Sequence, residues 1–168
     1  MKEMKITINM KVKNMYEFLM RHAYYSFIGV ASLAFSILAF IYLCVNFSSL
    51  STGKMIAFII ASLLFTVINP IWLFVTAGKQ VKLSPTFKDE LIYEINKEGI
   101  KVLQNDQELP IEWEDVQKVI ETRNNITIYI SRARAFVIPK DDVREQKDEL
   151  KEMIKEFVDP SICRFKQA

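Results

Sequence analysis

YYSFIGVASLAFSILAFIYLCVNF (residues 24–47) and MIAFIIASLLFTVINPIWLFVTA (residues 55–77) decide the architecture of this 168-residue chain, because neither contains Asp, Glu, Lys, Arg or His. At about 1.5 Å of rise per residue, each run as a helix covers roughly 35 Å, enough for a bilayer core of about 30 Å with some tilt. The connection, residues 48–54, is short, so an antiparallel two-helix hairpin is expected. Two buried helices of a soluble all-α protein would need more apolar surface around them than the rest of the chain supplies. A cleaved signal peptide fits poorly, since the first run begins late, exceeds the usual apolar region and is followed at once by the second.

Charge gives the orientation. The formal net charge is +2, with Lys11, Lys13 and Arg21 before the first run, Lys79, Lys82 and Lys88 after the second, and Lys54 alone between them. By the positive-inside rule the chain is a multi-pass protein of the cytoplasmic (inner) membrane with both termini cytoplasmic. The part after the second span is slightly acidic, which argues against nucleic acid as a partner. Cys44, within a span, and Cys163, near the C-terminus, form no metal or redox spacing and are not expected to bridge.

The parts read as follows: residues 1–22, an N-terminal strand and juxtamembrane helix; 23–78, the hairpin; 79–168, a cytoplasmic domain. Residues 4–12 alternate apolar and polar, the period of a half-buried strand, and are expected to pair with the C-terminal domain. Asn14 can cap a short helix through Arg21, and His22, the one histidine, reads as an interfacial residue. In the first span Gly29, Ser32, Ser36 and Ala39 share a stripe, matched by Ala57 and Ala61 in the second. Packing within the hairpin is the first reading of that stripe and a homo-oligomer the second. Asn69-Pro70 is expected to kink the second span, with Asn69 bonded to freed carbonyls.

After residue 87 short strands alternate with turns: 87–96, 100–103, 109–113, 116–122, 126–130 and 136–138. Leu109, Ile111 and Trp113 share one face of their strand. An amphipathic helix follows, with Asp142 and Glu145 spaced like a capping box and Val143, Leu150, Met153, Ile154 and Phe157 at helical intervals. The fold class is therefore an α+β membrane protein: a transmembrane hairpin plus a small antiparallel β-barrel or sheet closed by one C-terminal helix, in the outline of a pleckstrin-homology-like (PH-like) domain.

Three stretches, YEINKEGIKV (93–102), IEWEDVQKVIET (111–122) and ARAFVIPKDDV (133–143), together with the hairpin before them, make the chain resemble the YcxB-like family of bacterial membrane proteins. The resemblance implies two spans followed by a small β-rich domain. It implies no activity.

No nucleophile elbow, phosphate-binding glycine loop, zinc spacing or kinase signature is present, and Glu112, Glu114 and Asp115 sit beside no His or Cys. No enzyme, cofactor or metal is expected. The electrostatic candidate is a basic rim of Arg123, Arg132, Arg134 and Lys140, at or beside the turns of the last strands, with Lys79, Lys82 and Lys88 adding charge; Trp113 reads first as a core residue plugging a small barrel and second as a ligand platform. Such a rim suits anionic lipid headgroups or an acidic peptide; solvated turns paired with Glu121 and Asp141 are the plain alternative. The functional expectation is a membrane-tethered interaction module that binds a protein segment or headgroup. The alternative is a regulatory or assembly subunit of a larger membrane complex, with the hairpin as interface. Strand addition to an exposed sheet edge is a further binding mode.

Overall fold

The two apolar runs become helices. In the computed structural model, which describes residues 3–105, 107–131 and 134–165, Met15–Gln80 form one compact unit and Met1–Asn14 with Val81–Ala168 form another. Helix α1 (Val12–Tyr24) precedes α2 (Phe27–Asn46), and Ser26 between them caps α2, its Oγ accepting from Gly29 N at 3.0 Å. A short 3-10 turn follows, then α3 (Thr52–Leu63), a π-helical turn (Leu64–Ile68) and α4 (Asn69–Leu83). Phe27–Ser49 and Thr52–Leu83 are both long and apolar enough to cross a membrane.

The π turn in the second long helix has a specific cause. Across the π turn Asn69 N bonds to Leu64 O, five residues back. The next bond in that register would run from residue 70 to Phe65 O, and Pro70 has no N–H to give. Tyr24 fills the gap: its hydroxyl donates to Phe65 O at 2.6 Å and accepts from Asn69 Nδ2 at 3.1 Å. Asn69 therefore serves the freed carbonyl through Tyr24 rather than directly. Between the helices, Ser36 Oγ donates to Ala61 O at 2.9 Å, as small residues on the facing stripe permit. Gly29 has a different reason to be small, since a Cβ there would collide with the carbonyl oxygen of Ala23.

The other unit begins with β1 (Met4–Ile8), whose Met4, Ile6 and Ile8 are buried while Lys5 and Thr7 face out. After the short helix α5 (Pro85–Lys88) come β2 (Leu91–Ile95), β3 (Gly99–Gln104) and β4 (Gln107–Glu112), giving one antiparallel sheet in the order β1-β2-β3-β4. Strand β1 pairs with β2 from Met4 opposite Ile95 to Ile8 opposite Leu91, so the expected pairing across the hairpin is present. The β2–β3 turn is held by Asn96 Oδ1, which accepts from Glu98 N and Gly99 N at 2.8 and 3.2 Å. Gly99 sits at φ +155° where a Cβ would strike Ile111 O.

A second sheet holds β5 (Lys118–Glu121), β6 (Asn125–Tyr129) and β7 (Ala135–Pro139), followed by α6 (Lys147–Phe157) and β8 (Cys163–Arg164), in the order β7-β6-β5-β8. The expectation of a barrel needs correction. Among the described residues the strands form two four-stranded sheets with no closed barrel, and the architecture is α+β. Nor is every pair antiparallel, because β8 runs parallel to β5, with Val119 opposite Cys163. Ile95, Ile100, Ile126, Ile128 and Ile138 fill the core with Leu150, Met153 and Ile154 of α6. Leu109 lies outside that core, 54% exposed, because β4 is an edge strand that buries only Ile111.

Two caps read from spacing are not formed. Helix α6 starts at Lys147, after a run of turns, and the Asp142 carboxylate instead accepts from Asn9 N at 2.8 Å. Asn14 lies inside α1 and is fully buried, its Nδ2 donating to Asn125 Oδ1 at 2.8 Å and Asn124 O at 3.2 Å.

Candidate functional site

Strand topology separates the residues proposed as a basic rim. Arg123 lies in the turn entering β6 and Arg134 in the turn leaving it. At about 3.4 Å per residue, a five-residue strand holds those turns roughly 17 Å apart. Lys140 belongs with the Arg123 end, its backbone N donating to Asn124 O at 2.8 Å. Its ammonium is committed, bonding Thr122 O at 2.7 Å and pairing with Glu121. Glu121 is buried and also meets Lys151 Nζ at 2.7 Å, so a desolvated carboxylate is held between two cations. Arg132 and the side chain of Lys88 lie outside the described residues, as do Asp106 and Ala133, which the sequence places in expected turns. Among the described residues, Arg123 and Lys140 therefore lie at one end of β6 and Arg134 at the other.

A second charged cluster joins the N-terminal segment to the sheet unit. The Asp141 carboxylate meets Lys13 at 2.7 Å, Lys11 at 3.2 Å and Arg144 at 3.3 Å, and these donors hold its pKa far below the usual carboxylate range. Desolvation raises the pKa of neighbouring Asp142 against the hydrogen bond from Asn9. With the buried Asn14–Asn125 pair, in which Asn125 Nδ2 donates back to Asn14 O at 3.0 Å, residues 9–14 are tied to the turn before β6 and to the turn after β7. Sequence spacing showed none of this, because every partner is more than a hundred residues away.

Trp113 marks the concave feature. It is buried in the 3-10 turn after β4, its Nε1 donates to Asn96 O at 3.0 Å, and its ring stacks on Phe157 at 5.8 Å between centroids and 12° between planes. Above that stack opens a cleft of about 890 Å³ whose walls come from the β2–β3 turn, β4 and the end of α6. Phe157, 37% exposed, also borders a neighbouring depression of about 450 Å³ with Met153 and Glu156. The walls are acidic: Glu3, Glu94, Glu98, Glu112 and Glu114 line the cleft, against Lys97 and Lys101. Glu112 and Glu114 were visible in sequence as a charge cluster, but nothing in their spacing showed that a remote turn and helix end make them one wall. Among the described residues no three His, Cys, Asp or Glu side chains gather as metal ligands.

Comparison with known proteins bears on the same region. Residues 95–155 match the family model of the YcxB-like protein. Over 111 residues the chain is 26% identical to the uncharacterized protein YcxB of Bacillus subtilis (strain 168), a match covering 65% of this chain and 60% of that protein. No solved structure matches the chain. The resemblance to the YcxB-like family therefore stands, and the family match lies in the sheet unit, between the end of β2 and the last turns of α6.

Proposed function

We propose that the chain is a membrane-tethered, non-enzymatic interaction module. In this reading the hairpin lies in the cytoplasmic membrane with both termini inside, and the sheet unit, PH-like in its seven leading strands and following helix, receives a protein segment at the cytoplasmic face. The observation that carries the proposal is the inverted surface of the hairpin. Phe27 is 89% exposed and Trp72 65%, with Phe35, Leu38, Phe40, Ile60 and Ile71 also facing out, whereas Ser36 and Ser62 are buried. A large apolar side chain left in water forgoes about 1.5–3 kcal/mol, a cost that hydrocarbon surroundings remove. Core helices of a soluble protein would be mostly buried; here only 22% and 6% of the most apolar windows are.

An anionic headgroup is the weaker partner, because Lys140 is already paired and Arg123 and Arg134 are apart, while the open cleft is walled by glutamates. A photo-crosslinking amino acid at Lys97, on the cleft, is expected to give adducts with a specific protein in intact cells. One at Ser51 should not give the same adduct. Absence of any protein adduct from Lys97 would contradict the module.

A second reading, a subunit that uses its hairpin as interface, is favoured by one observation. Phe35, Leu38, Ala39, Tyr42, Val45 and Phe58 line an outward hollow of about 540 Å³ with almost no polar surface. Ala39→Leu, which fills it, should disrupt a complex in that case and leave the cleft-mediated adduct intact in the first.

A further inference from the structure

The free edge of β4, beside the groove around Phe157, lacks one of the backbone donors that an added strand would need. Asn96 N donates to Gly99 O at 3.0 Å, closing the β2–β3 hairpin. Hydrogen-bonding direction alternates along a strand, so the backbone groups of Gly99 and Lys101 point to β2 and those of Ile100 to β4. On β4, where Ile100 faces Ile111 and Lys101 faces Pro110, the groups directed away from the sheet are those of Glu108, Pro110 and Glu112. Pro110 has no N–H, so the middle donor of the free edge is missing and an added strand could not complete its ladder.

What remains is the aromatic ridge and its walls. Phe157 stands between the two depressions, backed by Trp113, and offers an apolar ring to both. Lys5 pairs with Glu94 at 3.0 Å and Lys101 with Glu108 at 2.5 Å. Glu98, Glu112 and Glu114 make no ion pair among the described residues, and the cleft keeps a surplus of negative charge. A flexible aliphatic stem ending in a cation matches such a surface: methylenes lie on the ring, the cation sits over its face or against a carboxylate.

We infer that the partner segment is cationic, an exposed lysine- or arginine-bearing stretch of a protein whose basic side chains straddle Phe157 between the glutamate walls. This rests on the interaction-module reading and names the class of partner for the same cleft. Recognition is then electrostatic at the rim, fast to form and weakened by salt.

The test uses the full chain in uncharged detergent with Trp72→Phe, which leaves Trp113 as the one tryptophan. Its emission is titrated with a short lysine oligomer, and with a glutamate oligomer of equal length. The lysine oligomer is expected to give a saturable change. Its affinity should fall about tenfold in the combined variant Glu98→Gln, Glu112→Gln, Glu114→Gln, as for three modest surface charge pairs lost together. It should also fall in Phe157→Ala, and the glutamate oligomer should give no saturable change. Equal affinity in the triple variant, or no saturable response in the parent, overturns the inference. Crosslinking from Lys97 separates the two levels: adducts that survive the triple substitution would retain the module and reject the cationic partner, whereas no adducts even without it would reject both.

Discussion

The hairpin and the sheet unit are built with opposite polarity. In Met15–Gln80 many large apolar side chains face outward while Ser36 and Ser62 are buried; Tyr24, Ser36 and Ser62 donate to backbone carbonyls, and Asn69 donates to the Tyr24 hydroxyl. In the sheet unit Ile95, Ile126, Ile138 and Leu150 are fully buried, and most of its charged side chains lie outside. On the proposed membrane reading, one chain carries two folding solutions for two solvents. In hydrocarbon, association relies on close packing and hydrogen bonds; in water, it relies on removing apolar surface.

If the two units are stabilised separately, a steric block in one should spare the other. Gly29→Ala and Gly99→Ala are matched lesions, because each new Cβ would meet a backbone carbonyl, of Ala23 and Ile111 respectively. Each is expected to destabilise its own unit by about 3 kcal/mol or more, at or above the usual cost of overpacking. Hydrogen exchange in detergent should show Gly29→Ala lowering protection in α2 and Gly99→Ala lowering it in β2 to β4. Loss of sheet protection in Gly29→Ala would show that the units fold as one.

A smaller effect probes the polar interior of the hairpin. Tyr24→Phe leaves Phe65 O without its donor, and Pro70 cannot replace it. The expected cost is about 1–3 kcal/mol, the penalty for an unsatisfied buried acceptor. It should appear as faster exchange confined to residues 62–72. Unchanged exchange there would mean that the π turn finds another donor.

The smallest effect concerns the tie between residues 9–14 and the sheet unit. Lys13, Lys11 and Arg144 depress the pKa of Asp141, so its contribution is present above the ordinary carboxyl value of about 3.9 and is lost as pH falls through the depressed folded value. Asp142, raised by desolvation, has the opposite sign and favours the fold as it protonates. Release of the N-terminal segment should therefore occur only in strong acid, and Asp141→Asn should loosen it already at neutral pH. Exchange of β1 against pH checks both; release near pH 6 in the parent would contradict the assignment.

The sequence was most informative where one short-range signal dominates. Charge-free runs mark the two long helices, and period-two alternation marks β1, β2 and β6, since both depend on the chain's own spacing. It was least informative where a residue chooses between a local and a distant partner. Asn14 and Asp142 have side chains suited to capping, yet each bonds a segment more than a hundred residues away; for Asn14, which is fully buried, the low-dielectric surroundings strengthen the distant bond. The basic residues 123–140 looked clustered because sequence distance ignores that successive turns fall at opposite strand ends. The cleft was not legible at all, since its floor joins Trp113 to Phe157 and its walls join a turn, an edge strand and a helix end.

The central claim is that a bilayer covers the hairpin and leaves the sheet unit in the cytoplasm. Thiol labelling tests it most directly. With Cys44→Ser in place, Cys163 reports on the sheet unit; with Cys44→Ser and Cys163→Ser together, Ser51→Cys reports on the loop between the long helices. A membrane-impermeant maleimide added to intact cells is expected to label Ser51→Cys, and to reach Cys163 only after the membrane is permeabilised. Labelling of Cys163 in intact cells, with protection of Ser51→Cys, would reverse the orientation; equal labelling of both only after permeabilisation would contradict a hairpin that crosses the membrane.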